Sequence, residues 1–431
     1  MTEQLVQSLA DAVAPALVTE LPGPLAQQAI ARDLAVSSPS MPRVYPLVPV
    51  RAEGCVIEDI DGNRFLDLNA GIAVNSTGHC HPDVVAAIEA QAHSILHYCS
   101  SDFYLPAYGE LCERLARLAP FDGAPARVFL ANSGTEAVEG AVKLARYHTG
   151  RQHIVAFLGA FHGRTLGSLS LTASKARYRA GFGPLLPGVQ HVPYGMAGLE
   201  QLQAQVFKHL VSPEEVAAIV VEPVQGEGGY IPAPPGFLAG LRSLCDEHGI
   251  LLVADEIQSG VGRTGRFWAI EHDGVAPDLV LAGKGLASGL PLGAIIARAE
   301  LMSWPPGTHG STFGGNPVSC AAALATIDLV QSELQASAAA MGARFLAGLQ
   351  SLQARQPLLT AVRGRGLMIG LDFADHDTAA AVEQEAFRRG VLVLTGGERT
   401  VRLAPPLVIR ADQVDLALGE LDATLAAVAA R

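Results

Sequence analysis

Between residues 127 and 297 the sequence keeps one rhythm. Short apolar runs recur at 127–130, 154–158, 189–193, 217–221, 251–254, 279–282 and 294–297, and helix-like segments separate most of them. Such runs read as strands buried on both faces. Their alternation with helices argues an α/β fold, a mainly parallel sheet covered on both sides. Sheets of this kind collect ligands at the carboxyl ends of their strands, so the residues that follow each run matter most.

Two of those ends carry chemistry. The run 251–254 is followed by Asp255, and the run 279–282 is followed closely by Lys284. A carboxylate and an amine delivered to one sheet edge suit pyridoxal phosphate. Its aldehyde needs a lysine, and its pyridine nitrogen needs an acid to stay protonated. A turn-capping aspartate and a solvated lysine fit the same two residues. The stretch between them contains Gly260-Val261-Gly262-Arg263-Thr264-Gly265, literally G-x-G-x-x-G after a strand. A dinucleotide site wants an acid at the end of the next strand. Here Asp278 precedes that strand and Lys284 ends it, so a nicotinamide-dependent oxidoreductase is the remote alternative.

The remaining loops are loaded as well. Asn132-Ser133-Gly134-Thr135-Glu136-Ala137 opens a helix, where backbone N–H groups and the helix dipole favour an anion; plain capping by Ser133 or Thr135 explains it equally. Phe161-His162-Gly163-Arg164-Thr165 offers an aromatic to stack on a ring and a guanidinium fork for a carboxylate, or a surface ion pair. Glu222 to Gly229 brings two acids among glycines, and residues 310–317 form a polar, glycine-rich loop before a helix. The joint order of these loops points to a site where no single one does.

The chain of 431 residues is 49% hydrophobic and 17% charged, enough for two domains. Its net charge of −12 disfavours nucleic acid, and no uncharged apolar run reaches the ~18 residues of a membrane span. Six scattered cysteines and a start without a secretory pattern lead to the expectation of a reducing, cytoplasmic setting. His79-Cys80-His81 lacks the ligand spacing of a metal site. Residues 1–34 read as helical, broken at Pro22-Gly23-Pro24, and 37–46 as an extended arm. A hairpin around Asp61-Gly62-Asn63 follows. The last helix carries the stripe Val414, Leu418, Leu421, Leu425 and Val428 and is expected to pack on a sheet. The expected division is 1–71 as arm and hairpin joining a small domain, 72–335 as the large domain, and 336–431 as the C-terminal small α+β domain.

Taken in order, NSGTEA, FHGRT, EPVQGEGG, ADEIQSGVGRTG, AGKG and GSTFGGNP resemble the class-III (ω-amino acid) aminotransferases of fold type I, the group of the 4-aminobutyrate, ornithine and acetylornithine enzymes. The resemblance implies that Lys284 forms the Schiff base with pyridoxal phosphate and shuttles the proton. Asp255 pairs with the pyridine nitrogen, Gln258 meets the ring hydroxyl, and Phe161 and Ile257 sandwich the ring. Gly134 and Thr135 hold the phosphate, and Thr312 reaches it from the neighbouring subunit of a homodimer or higher assembly. Arg164 binds one substrate carboxylate and Arg402 a second, with Glu227 pairing to Arg402 otherwise. Tyr45 aligns loosely with a substrate-side tyrosine of ornithine enzymes, whereas Ile72 resembles aminobutyrate enzymes. The implied reaction moves an amino group from an ω-amino donor, 4-aminobutyrate foremost, to a keto acid, 2-oxoglutarate. Ornithine or acetylornithine as donor is the alternative. So is an amino-acid racemase on the same scaffold, since the stretch from 22 to 82 also resembles archaeal-type members.

Overall fold

The computed structural model describes residues 8, 9, 12 and 14–431. An N-terminal meander contains β1 (Pro49–Glu53), β2 (Val56–Asp59) and β3 (Arg64–Asp67). The central strands are β4 (Ala126–Ala131), β5 (His153–Phe157), β6 (Val189–Val192) and β7 (Val216–Val221). A short hairpin, β8 (Val224–Gln225) and β9 (Ile231–Pro232), precedes β10 (Leu251–Asp255), β11 (Leu279–Ala282) and β12 (Gly293–Arg298). The C-terminal strands are β13 (Ala361–Arg365), β14 (Met368–Asp372), β15 (Val391–Leu392), β16 (Leu394–Gly396) and β17 (Thr400–Leu403).

The central sheet has seven strands in the order β4-β12-β11-β10-β7-β5-β6, all parallel except β12, which runs antiparallel to both neighbours. Its strands alternate between two cores. Leu252, Ala254, Val280 and Ala282 face one cluster, while Leu251, Val253, Leu279 and Leu281 face the other. The second cluster is closed by helix Gly134–Thr149 through Ala137, Val138, Ala141, Val142 and Ala145. With both faces dry, the sheet can change register only by moving side chains from one core into the other.

The meander pairs β3 with β15, so the N-terminal hairpin belongs to the same sheet as a C-terminal strand. A further antiparallel sheet, β13-β14-β17-β16, includes β13, which the sequence reading did not anticipate. The helical reading of 1–34 holds after its break, where the helix is Pro24–Val36, and is corrected over 14–23, which are not helical; residues 1–7, 10, 11 and 13 of that reading lie outside the described residues. Ahead of the helix Ala16 bridges to Arg64, and Asn63 Oδ1 accepts from the N–H groups of Val18 and Thr19 at 2.8 and 3.0 Å. Prolines 15 and 22 supply no donors to a helix, and the segment lies extended on the hairpin instead. The Asp61 carboxylate caps the helix by accepting from Leu25 and Ala26 N–H at 2.9 and 2.8 Å. The last helix, Ala411–Ala429, uses its stripe chiefly between helices Gln335–Gln353 and His376–Arg388 rather than on a sheet.

Candidate active site

Five parallel strands end at one edge and place Gly134, Phe161, Glu222, Asp255 and Lys284 around a cavity of ≈ 270 Å³. Ser133, Thr135, His162, Gly163, Arg164, Ile257 and Gln258 complete its lining. Two glycines make the convergence possible. A Cβ on Gly134 would meet Ile257 at 2.8 Å, and one on Gly293 would meet the Ser133 carbonyl at 2.3 Å.

Asp255 ends β10 and is buried. Its Oδ1 accepts the Ile257 N–H at 3.1 Å, and its Oδ2 lies 2.7 Å from His162 Nδ1. Burial opposes charge on His162, but the hydrogen bond and charge of Asp255, helped by Glu222, raise its pKa. The imidazole therefore braces the carboxylate from behind. His162 stood within a quoted motif, yet nothing in the sequence shows that it meets an acid 93 residues away.

Lys284 follows β11 at φ 39°, a left-handed conformation that is costly for a side-chain-bearing residue and is seen where function demands it. Among the described residues its amine has no hydrogen-bond or ion-pair partner. Burial lowers its pKa, against the opposing charges of Asp255 and Glu222. Glu222, also unassigned by the sequence, accepts from Phe161 N–H at 3.1 Å and Gly226 N–H at 3.0 Å. Burial raises its carboxyl to about 7. It ties the loop carrying Phe161 to the loop carrying Glu227.

The residues fit pyridoxal phosphate on the structure's own terms. Lys284 is an uncommitted amine, and Gln258 Oε1 is buried without a partner. Gly134 and Thr135 lead a helix of 16 residues, whose first N–H groups have no intrahelical acceptor. The Thr135 hydroxyl is engaged with Ser168 Oγ at 2.6 Å and Thr165 Oγ1 at 2.8 Å, so the backbone amide is the donor Thr135 has to offer an anion. Phe161 and Ile257 both line the space between.

A second group lies beside this cavity. Glu227 Oε2 is 3.1 Å from Arg402 Nη1, and that guanidinium also donates to the carbonyls of Gly226 and Thr395 at 3.2 and 3.0 Å. Burial alone would push the Glu227 carboxyl up, yet Arg402, Lys175 and Tyr178 together hold it below the usual carboxylate range. Arg164 is exposed, with its guanidinium 3.8 Å from the centre of the Tyr178 ring.

Besides Glu227 and Arg402, three more expected residues lie outside the lining of this chain's cavity. Ile72 is 45% exposed at φ 68°, and Thr312 is exposed on its loop. Tyr45 stacks on Phe387 at 4.7 Å and donates its hydroxyl to the Val393 carbonyl, so it is committed elsewhere. The G-x-G-x-x-G stretch is a packed turn. Arg263 is buried and donates to the carbonyls of Leu367 and Pro405. A Cβ on Gly262 would meet Val330 at 2.8 Å, and one on Gly265 would meet Ala339 at 2.9 Å. These glycines serve close packing, not a pyrophosphate. His79 pairs with Asp67 at 2.7 Å, while His81 caps helix Pro82–Ser94. Among the described residues no group of three His, Cys, Asp or Glu side chains is placed to hold a metal, and no helix is long and apolar enough to cross a membrane.

Comparison with known proteins agrees with this geometry. A family model described as aminotransferase class-III matches residues 37–425. Acetylornithine aminotransferase of Methanopyrus kandleri is 46% identical over 378 residues, 88% of this chain and 94% of the relative. 4-Aminobutyrate aminotransferase of Escherichia coli is 41% identical over 394 residues, 86% of this chain and 92% of the relative. Among solved structures, an ornithine aminotransferase of Toxoplasma gondii with partial occupancy of pyridoxal phosphate superposes with a TM-score of 0.86 at 33% identity, covering 96% of each chain.

Proposed function

The chain belongs to the class-III aminotransferases, which use pyridoxal phosphate, and from that membership we propose that it transfers the terminal amino group of an ω-amino acid, 4-aminobutyrate foremost, to 2-oxoglutarate. The observation that carries this reading is the Glu227–Arg402 ion pair beside the exposed Arg164. A donor with one carboxylate needs one free cation, and a dicarboxylate acceptor needs two. Glu227 neutralises Arg402 for the donor, and its displacement frees the guanidinium fork for the acceptor's second carboxylate.

When bound, pyridoxal phosphate supplies the electron sink that makes loss of a proton beside nitrogen feasible. Lys284 Nζ, lowered in pKa by burial and without a partner among the described residues, is the amine that would hold the cofactor and carry that proton. Asp255, braced by His162, is the carboxylate that would pair with the ring nitrogen. The Gly134 and Thr135 amides would hold the phosphate and Gln258 the ring hydroxyl, with Phe161 and Ile257 to sandwich the ring. Thr312 acts from the neighbouring subunit of a homodimer, consistent with its exposure on a loop outside its own chain's cavity.

A second reading, N-acetylornithine as donor, is favoured by the identity to the Methanopyrus kandleri relative. A panel of amino donors with 2-oxoglutarate tests both, read for glutamate formation and for loss of optical activity. We expect turnover with 4-aminobutyrate to exceed that with ornithine. Faster turnover with N-acetylornithine would replace the donor assignment, and loss of optical activity without amino transfer would assign a racemase.

A further inference from the structure

The two oxygens of Glu227 have different partners. Oε2 faces Arg402, while Oε1 lies 3.3 Å from Lys175 Nζ and accepts from the Tyr178 hydroxyl at 3.0 Å. Lys175 and Tyr178 come from the segment after the Arg164 loop, around the turn Ala176–Tyr178. Among the described residues they share no hydrogen-bond or ion-pair partner with Arg402 except this carboxylate.

The environment makes the second contact consequential. The side chains of Glu227 and Arg402 are 17% and 6% exposed. A carboxylate leaving its only cation in such a place would be stranded, and an unpaired buried charge is what makes these ion pairs hard to open. Arg402 would remain aimed, because the Gly226 and Thr395 carbonyls hold it. What decides opening is where Glu227 goes.

We propose that Lys175 and Tyr178 are the second seat of the Glu227 carboxylate, keeping it neutralised while a dicarboxylate substrate occupies Arg402, and so set how well the enzyme accepts a two-carboxylate partner. Glu227 need not travel: it keeps Oε1 in place and swings Oε2 away from Arg402. The Tyr178 ring also floors the Arg164 guanidinium, which links this seat to the cation for the other carboxylate. The inference rests on the alternation of Glu227 proposed above.

The test is calorimetric titration of the holoenzyme with glutarate, an unreactive dicarboxylate, and with butanoate, its one-carboxylate counterpart. Lys175→Met and Lys175→Arg are each made in wild-type and Glu227→Gln backgrounds. Lys175→Met should weaken glutarate about tenfold, the size of coupling expected between neighbouring charges, and leave butanoate unchanged. Lys175→Arg should restore most of the loss. With Glu227→Gln there is no anion to reseat, so Lys175→Met should then leave glutarate affinity nearly unaltered. Equal losses for both ligands would overturn the proposal by making Lys175 structural. An undiminished loss in the Glu227→Gln background would overturn it by making Lys175 a direct attractor of dianions. The functional reading fails separately: an enzyme that shows this coupling yet accepts only α-amino donors keeps the second seat and loses the ω-donor assignment.

Discussion

Asp255 and Lys284 stand at the ends of adjacent strands, β10 and β11, whose register is fixed by parallel pairing of Val253 with Leu279 and Asp255 with Leu281. Glu227 and Arg402 meet across a seam between a glycine-rich hairpin and β17 of a different sheet. The first pair cannot shift without disturbing two dry cores. The second is held by two ion pairs, two carbonyls and a tyrosine, none of which belongs to the ladder of the central sheet. On the proposed function, the groups assigned to chemistry therefore stand on the rigid element and the groups assigned to choosing between substrates on the adjustable one.

The largest expected effect tests the rigid side. Lys284→Ala removes both the proposed attachment point and the proposed proton carrier, and steady-state transamination should vanish while the cofactor should still be retained through its phosphate. Turnover near wild type would place the chemistry elsewhere. Asp255→Asn should fold normally, because an amide can still accept from Ile257. It cannot fix the ring nitrogen's charge, and losing a preorganised electrostatic partner of this kind costs roughly 3–4 kcal/mol in the barrier. Single-turnover rates should drop by about 10² to 10³ in both half-reactions alike. A loss confined to one half-reaction would break the contrast between a fixed chemical end and an adjustable one.

The same contrast explains what could be read in advance. Strand ends are visible in sequence, because an apolar run that stops at a charged residue fixes both the element and the direction of its last side chain. Asp255, Lys284 and the helix opening at Gly134 were legible for that reason. His162 and Glu222 sat inside motifs but received no role, since their partners, Asp255 and the amides of Phe161 and Gly226, are neighbours only in the folded chain. Lys175 and Tyr178 belong to no motif at all. The pairing of Glu227 with Arg402 was available only through resemblance, because nothing local links a hairpin to a strand of another sheet. Over 14–23 the expected helix gave way for a related reason: Asn63, far along the chain, captures the backbone donors of Val18 and Thr19.

On the adjustable side the effects should be smaller and unequal. Arg402→Lys keeps the charge but loses the fork, and a buried, hydrogen-bonded charge partner is worth about 2–5 kcal/mol when truncated outright. With the charge retained, the glutamate half-reaction should fall by about thirtyfold, or ~2 kcal/mol, and the ω-amino half-reaction by little. Glu227→Ala should do the reverse, because an unneutralised Arg402 attracts the donor's only carboxylate in the wrong orientation. Absorbance changes of the cofactor report each half-reaction separately. Equal losses in both halves for both variants would reduce the pair to scaffolding and remove the distinction between the two regions.

The smallest effect concerns a residue that neither region of a single chain positions. Thr312 is exposed on its glycine-rich loop, whose Ser311 Oγ accepts from Gly314 N–H at 3.0 Å, and it does not line the cavity of its own chain. The homodimer proposal has it complete the phosphate end of the partner's cavity, next to the helix that begins at Gly134. Thr312→Ala should then weaken cofactor retention by roughly 1–3 kcal/mol, the scale of one hydrogen bond to a charged group. Equilibrium dialysis against free pyridoxal phosphate would measure it. Mixing Thr312→Ala subunits with Lys284→Ala subunits sharpens the result. A hybrid dimer has one site that combines the intact Lys284 of the first with the intact Thr312 of the second. That site should bind cofactor as tightly as wild type and turn over, so activity at low cofactor concentration should reappear on mixing two preparations that lack it. If subunits exchange and no such site appears, Thr312 serves its own chain, and the rigid end of the site is complete within one protomer.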